Sequence, residues 1–337
     1  MAAPLGVEEV RAILRDGYGL TEIPRRVVPQ DGTSSASFLV ELRDRRLFLK
    51  CRAAEHAGRE QVRFEQDLLS VLSREGFPVA SPLAGAEGRT MVPFRDRVCE
   101  LSPWIEGIRF RPGEEAMIRG TGTMLARFHR ITAGIERRKD CQEREDDPDR
   151  LLRELDLHLR GVDTAGAEGL LGFLREALRG LAARLPATVY FRLPQAVIHG
   201  DFHPGNVKFD GITSKPAGLF DFDWANRQER IRDVADALLF FCTADSPEGP
   251  SDIYGLTRAV GLEPGPCRLL LASYEAEWPL RAEEREALSP VMEARWLQVR
   301  IRGMRKVPVG QRLRFLDRGN LLSDVRRIRE FPGTGTA

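Results

Sequence analysis

None of the five cysteines (Cys51, Cys99, Cys141, Cys242, Cys267) stands in a C-x-x-C pair. With no pairing pattern, a reduced, cytoplasmic setting is the default expectation. No stretch approaches the ~18–20 apolar residues of a spanning helix. The N-terminus also lacks a charged start followed by a continuous apolar segment, so no membrane association is expected. Charge of one sign is missing too: 51 Lys and Arg against 50 Asp and Glu leave a net +1. That balance gives no general pull toward nucleic acid or a lipid surface. Basic residues do cluster over 295–329, as solvated helix faces routinely do, and no nucleic-acid role is expected. There is no internal repeat, and low complexity is confined to the GTGTA end, so residues 331–337 read as a disordered tail.

What is present is a chain of 337 residues, 42% apolar, long enough for two domains or lobes with a sizeable core. One stretch organises it: IHGDFHPGNVKFDGITSKPAGLFDFD, Ile198 to Asp223. His199, Asp201 and Asn206 fall on one short loop. After a Gly-, Ser- and Pro-rich turn, Asp221 and Asp223 end an apolar run. Phosphoryl transfer needs these residue types: a carboxylate to orient the acceptor hydroxyl and take its proton, and hard oxygen ligands to hold Mg²⁺ on the triphosphate. Asp201 suits the first task, and Asn206 with Asp221 the second. The H-x-D-x-x-x-x-N spacing is that of a kinase catalytic loop, with Asp-Phe-Asp where protein kinases carry Asp-Phe-Gly. The Arg of H-R-D is here Gly200. Asp210, in FDGITS, reads as a turn former.

The H-G-D-x-x-x-x-N loop, followed at this distance by an apolar strand ending in D-x-D, resembles the aminoglycoside phosphotransferase superfamily, whose small-molecule kinases share the protein-kinase fold. The resemblance covers roughly residues 20 to 305 and is strongest over 197–240. It implies an α+β, bilobal protein-kinase-like fold. A small antiparallel-sheet N-lobe (1–103, a five-stranded sheet plus a helix, nucleotide-binding) would precede a mostly helical C-lobe (104–330) carrying the catalytic loop and acceptor site. It also implies ATP and Mg²⁺ as cofactors and a small molecule bearing a hydroxyl as acceptor.

The N-terminal third fits that outline. Residues 7–16 have helical spacing, and from Ile23 to Arg52 the pattern reads as strands IPRRVVP, SFLVEL and RLFLKC. Gly32, Ser34 and Ser35, in the loop between the first two, are candidates to cover the phosphates, although an ordinary hairpin loop fits equally. Lys50 closes the third strand in the place of the kinase strand lysine. In the helix predicted over residues 55–74, Glu65 falls where the superfamily pattern puts the glutamate that pairs with it, with Glu60 on a nearby face. Two further strands joined by FRDR run into SPWIEG, which resembles the interlobe hinge. Ser102 to Ile105 is the predicted adenine-binding segment, with Trp104 read as packing.

Beyond it, GTMLARFH is similar to the G-x-x-L-A-x-x-H helix of these kinases, with Gly122, Leu125, Ala126, Phe128 and His129 on one face. His129 reads as structural. The charge-dense stretch 136–150 is predicted to be an exposed connection, followed by helices over about 150–160 and 167–184. Asp233, near the start of an apolar helix, is predicted to cap exposed N–H groups and brace the catalytic loop. The helical remainder resembles the type II homoserine kinase branch more than the antibiotic-resistance branch, which points to an amino alcohol or a homoserine-like hydroxy amino acid, with an aminoglycoside as a further acceptor left open. Asp223, as a second metal ligand or acceptor contact, and Glu275 and Glu277 are the candidate anchors for an acceptor ammonium. A protein Ser/Thr kinase of the stress-response type and a regulatory pseudokinase are the alternatives. Oligomeric state stays open between monomer and homodimer.

Overall fold

The computed structural model describes residues 5–30, 35–53, 59–136, 144–243, 253–258 and 261–331. Gly32, Ser34, Cys141 and residues 332–337 lie outside them. The chain divides into two compact units, Met1–Gly107 with Ala217–Asp223, and Ile108–Pro216 with Trp224–Ala337.

The first unit opens with α1 (Val7–Ala12), which continues as one π turn. There follow β1 (Arg26–Gln30), β2 (Ala36–Glu41), β3 (Arg46–Ala53), α2 (Arg59–Arg74), β4 (Met91–Phe94) and β5 (Arg97–Pro103). Among the described residues these strands make one antiparallel sheet in the order β1-β2-β3-β5-β4. Alternation along β3 explains its two faces. Leu47, Leu49 and Cys51 are buried against Val10, Ile13, Leu14, Cys99 and Leu101, each large aliphatic contributing about 1.5–3 kcal/mol of burial. Phe48, Lys50 and Arg52 must then share the opposite face. The turn between β2 and β3 is closed by Leu42 N–H donating to the Arg45 carbonyl at 2.9 Å. At the FRDR turn, Arg95 takes φ 54°.

The second unit contains α3 (Glu115–Thr132), α4 (Pro148–His158), α5 (Glu168–Arg184), α6 (Ala187–Tyr190), β6 (Gln195–Ile198) and β7 (Val207–Phe209). Pro216 begins β8 (Pro216–Leu219), which runs on into the first unit. After it come β9 (Asn226–Glu229), α7 (Ile231–Phe241), α8 (Ile253–Leu256), α9 (Pro264–Glu277), α10 (Ala282–Gly303), α11 (Arg312–Leu316) and α12 (Leu321–Glu330). The predicted apolar face of α3 is buried as a set and packs on α9. The helices approach so closely that a Cβ on Gly122 would lie 2.4 Å from the Leu270 carbonyl oxygen, so only glycine fits there. β6 pairs antiparallel with β9, Gln195 opposite Glu229 and Ile198 opposite Asn226. This pairing places the exit of β6, where the catalytic loop begins, beside the entry to α7. No helix among the described residues is long and apolar enough to cross a membrane.

One expectation fails here. The described end of the charge-dense stretch is not exposed: Arg144 and Asp146 are buried, paired at 3.1 Å. Glu145 bridges Arg232 at 3.0 Å and Arg302 at 3.3 Å. Burial pushes the Glu145 carboxyl up, but Arg232, Arg295 and Arg302 outweigh it and hold it at about 2. Alternating charge reads as solvated only while each charge lacks a partner, and here the partners come from distant α7 and α10.

Candidate active site

The loop that follows β6 is wound by its own hydrogen bonds. Asp201 N–H donates to His199 Nδ1 at 3.3 Å, Gly205 N–H to His203 Nδ1 at 3.0 Å, and Asn206 Nδ2 to the Asp201 carbonyl at 2.9 Å. Because Gly205 donates to Nδ1 of His203, Nε2 is the nitrogen that carries the hydrogen, and it lies 3.4 Å from Asp201 Oδ2. Gly200 explains the departure from H-R-D. Its φ is +79°, and a Cβ there would meet the Trp224 carbonyl oxygen at 2.6 Å. No side chain is tolerated at that position.

The loop is anchored from α7. Asp233, fully buried, accepts from His199 N–H at 2.6 Å and Gly200 N–H at 2.9 Å. His129 Nε2 donates to it at 3.2 Å, and His129 Nδ1 accepts from Tyr274 Oη at 2.9 Å. Burial pushes the His129 pKa down, against the pull of Asp233, so the ring stays neutral and acts structurally. Behind Tyr274 stands Arg230, locked on Glu284 by bonds of 2.8 and 2.7 Å. Asp233 thus braces the catalytic loop as expected. It does not cap α7, because two backbone donors from another segment take its carboxylate.

Asp201 is the exposed product of this arrangement, its side chain 36% accessible. Burial pushes its carboxyl up, but His203, through its hydrogen bond and electrostatics, prevails together with His199 and Arg295 and holds it at about 2. A carboxyl with a pKa that low stays largely ionised through the usual carboxylate range near 4, as a proton-accepting role would require. His203→Ala removes the neighbour that most opposes the effect of burial. The acid limb of kcat/KM is then expected to move up toward the ordinary range near 4, a shift that a pH–rate profile carried from about pH 3 to 7 would detect. His203 was missed in reading the sequence. The signal was there in a second histidine inside H-G-D-x-H-x-x-N.

In the sheet unit, the face of β3 opposite the core carries a charge cluster. Lys50 Nζ lies 3.0 Å from Asp221 Oδ1 and 2.7 Å from Asp223 Oδ1. Asp221 has φ 67°, left-handed backbone that aspartate adopts more readily than most residues and that clusters at functional sites. The expected Lys50–Glu65 pair is not the one formed. Glu65 pairs with Arg52 at 2.8 Å. Arg52 also reaches Asp223 at 2.7 Å and contacts Glu100. The longer, forked guanidinium spans three carboxylates that an ammonium cannot.

Of the remaining candidates, Ser35 is half-buried just before β2. Ser102 lies on β5 opposite Phe48. Trp104 leans on Phe48 with ring centroids 6.2 Å apart, as packing would have it. Ile105 lies against Gly218, where a Cβ would approach within 2.5 Å. Glu275 and Glu277 are paired on the surface, with Arg285 at 2.8 Å and Arg130 at 3.2 Å. The spacing of SYEAEWPL did not reveal these partners, which lie on α10 and α3.

A model of the phosphotransferase enzyme family matches residues 26–269. The chain belongs to this family. Homoserine kinase of Phenylobacterium zucineum is 28% identical over 275 residues, spanning 78% of this chain and 73% of that one. Homoserine kinase of a Caulobacter species is 28% identical over 285 residues, spanning 83% and 80%. Among solved structures, a microcompartment-associated aminopropanol kinase aligns with TM-score 0.70 at 17% identity, over 97% of this chain and 99% of that one. An amicoumacin kinase aligns with TM-score 0.65 at 15% identity, over 97% and 92%. The fold is therefore the α+β, protein-kinase-like fold of these phosphotransferases, and the protein is a small-molecule kinase.

Proposed function

We propose that this member of the phosphotransferase enzyme family moves the γ-phosphate of Mg²⁺·ATP to a hydroxyl of a small acceptor, a hydroxy amino acid or amino alcohol of the homoserine kind. The observation that carries the reading is the Asp201 carboxylate, ionised, accessible and held on a loop whose backbone is gripped by Asp233. In the proposed reaction the acceptor oxygen bonds to the γ-phosphorus, the bond from that phosphorus to the β–γ bridging oxygen breaks, and Asp201 receives the hydroxyl proton. Lys50 would hold the α- and β-phosphates. Homoserine kinases at 28% identity support the acceptor class.

The donor set suits a metal that arrives with the nucleotide. Asn206 spends Nδ2 on the Asp201 carbonyl, which leaves Oδ1 as the atom it offers. Asp221 presents a carboxylate that is 45% exposed. No group of three or more His, Cys, Asp or Glu among the described residues forms a self-sufficient cage. One or two protein oxygens completed by phosphates is how Mg²⁺ is usually held. Bound there, Mg²⁺ would neutralise charge on the transferred phosphoryl group. Asp221→Ala and Asn206→Ala are each expected to weaken Mg²⁺·ATP far more than metal-free ATP in calorimetric titrations. Equal losses in both conditions would assign the two residues to folding instead.

The function itself is tested by ³¹P NMR of the purified protein with ATP, Mg²⁺ and a panel of hydroxy amino acids, amino alcohols, sugars, aminoglycosides and a generic protein. A new phosphomonoester signal with an amino acid or amino alcohol is expected. Phosphorylation of the protein substrate alone would replace this reading with the protein-kinase one.

A further inference from the structure

Lys50 and Arg52 stand two residues apart on one face of β3, yet they play different parts in the cluster. Arg52 is buried, 5% exposed, and its two terminal nitrogens contact Glu65, Glu100 and Asp223. Glu100 is held in turn by Gln66 Nε2 at 2.6 Å, and Gln61 Nε2 donates to the Asp223 carbonyl at 3.3 Å. Among the described residues, Lys50 Nζ hydrogen-bonds to Asp221 and Asp223. A single oxygen, Asp223 Oδ1, lies 2.7 Å from both cations.

We propose that Arg52 is a positioning residue for phosphotransfer: it holds Glu65, Glu100 and Asp223 in one frame, so that the Lys50 ammonium is the mobile cation, free to pass from Asp221 and Asp223 to the nucleotide phosphates. This rests on the kinase reading above. A buried carboxylate is costly unless paired. When Lys50 leaves Asp223, the 2.7 Å bond from Arg52 keeps that carboxylate compensated, so departure of the ammonium strands no charge there. Glu65 makes its direct ion pair with Arg52 at 2.8 Å and acts on Lys50 only as a more distant charge, the smallest of the influences on its pKa. A guanidinium suits the fixed part because its planar fork serves several oxygens at once, and an ammonium suits the mobile part because it is a compact point charge on a flexible stem. Burial pushes the Arg52 pKa down, but Glu65 and Asp223 outweigh it, so the fixed cation keeps its charge.

Two measurements decide this. In kinetics, Arg52→Lys keeps the charge but loses the fork. It is expected to lower kcat/KM for ATP about tenfold or more while leaving the KM for acceptor unchanged. In that background Glu65→Gln should cost far less than it does alone. Wild-type kcat/KM for Arg52→Lys, or an undiminished Glu65→Gln effect, overturns the proposal.

The second measurement needs no nucleotide. The chain has only five lysines, so the Nζ resonance of Lys50 can be followed in ¹⁵N-lysine-labelled protein and assigned with Lys50→Arg. It should move more with Asp223→Asn, which removes a direct partner, than with Glu65→Gln, which removes only a more distant charge. An equal or larger movement with Glu65→Gln would make Glu65 the partner of Lys50 and overturn the proposal, whether or not Arg52→Lys folds. A failed kinase reading would instead show as absent phosphotransfer by the wild type, with the Nζ result standing on its own.

Discussion

Asp201→Asn is expected to lower kcat by ~10²–10⁴, the usual worth of a positioned general base, with nucleotide binding intact. The amide keeps the shape and the loop. Asn206 and Asp233 bond the backbone around Asp201, not its carboxylate, so the change removes a proton acceptor without unwinding the site. Turnover at saturating acceptor together with calorimetric ATP binding checks it. Near wild-type phosphotransfer by the variant would remove Asp201 from the catalytic role. The loss should be in kcat rather than in the KM for ATP, since a base that acts only on the acceptor hydroxyl contributes nothing to holding the nucleotide.

Asp233→Ala is expected to be costly in two currencies at once, stability and kcat. Its carboxylate is the acceptor for the His199 and Gly200 N–H groups and for His129 Nε2, the first and last fully buried and the Gly200 bond partly so. Leaving a buried donor unsatisfied costs about 1–3 kcal/mol, so three such donors bring the loss near the whole stability of a marginal domain. Thermal unfolding should show a clearly lowered midpoint. The protein that remains folded should have a lowered kcat, because the loop bearing Asp201 has lost its anchor. Asp233→Asn, which keeps one oxygen acceptor, should fall between alanine and wild type. An unchanged midpoint and kcat for Asp233→Ala would mean that the loop holds itself by the internal bonds of His199, His203 and Asn206 alone.

The success of the local reading has a local cause. The H-G-D-x-x-x-x-N loop, the β2–β3 and β4–β5 turns and the buried face of α3 all express constraints within a few residues of each other. Gly200 could have been read further. A left-handed glycine pressed on the Trp224 backbone is why no arginine stands there. His203 was overlooked because the motif does not ask for it. Its significance comes from where Nε2 ends up, beside Asp201, a position set by the Gly205 bond at Nδ1.

Ion pairing was the least legible property. Glu65 was matched to Lys50 by family position and pairs with Arg52. Glu275 and Glu277 were offered to an acceptor and are taken by Arg285 and Arg130. The stretch 136–150 reads as an exposed connection, and its Arg144, Glu145 and Asp146 are all paired. Sequence spacing constrains which face a side chain leaves from, but many arginines and carboxylates lie within reach of one another in a chain that is 30% charged. The partner is chosen by distances between segments far apart in the sequence, and by which charges burial forces to find one.

By itself, then, the order of residues determined the class of chemistry and the strands and helices that carry it, because turn preferences, apolar periodicity and catalytic-loop spacing act over short range. Which cation holds Glu65, which carboxylate grips the catalytic loop and which acids are spent on the surface were decided only by tertiary structure. Electrostatic energy between charges depends on separation and burial, and neither exists until the chain has folded.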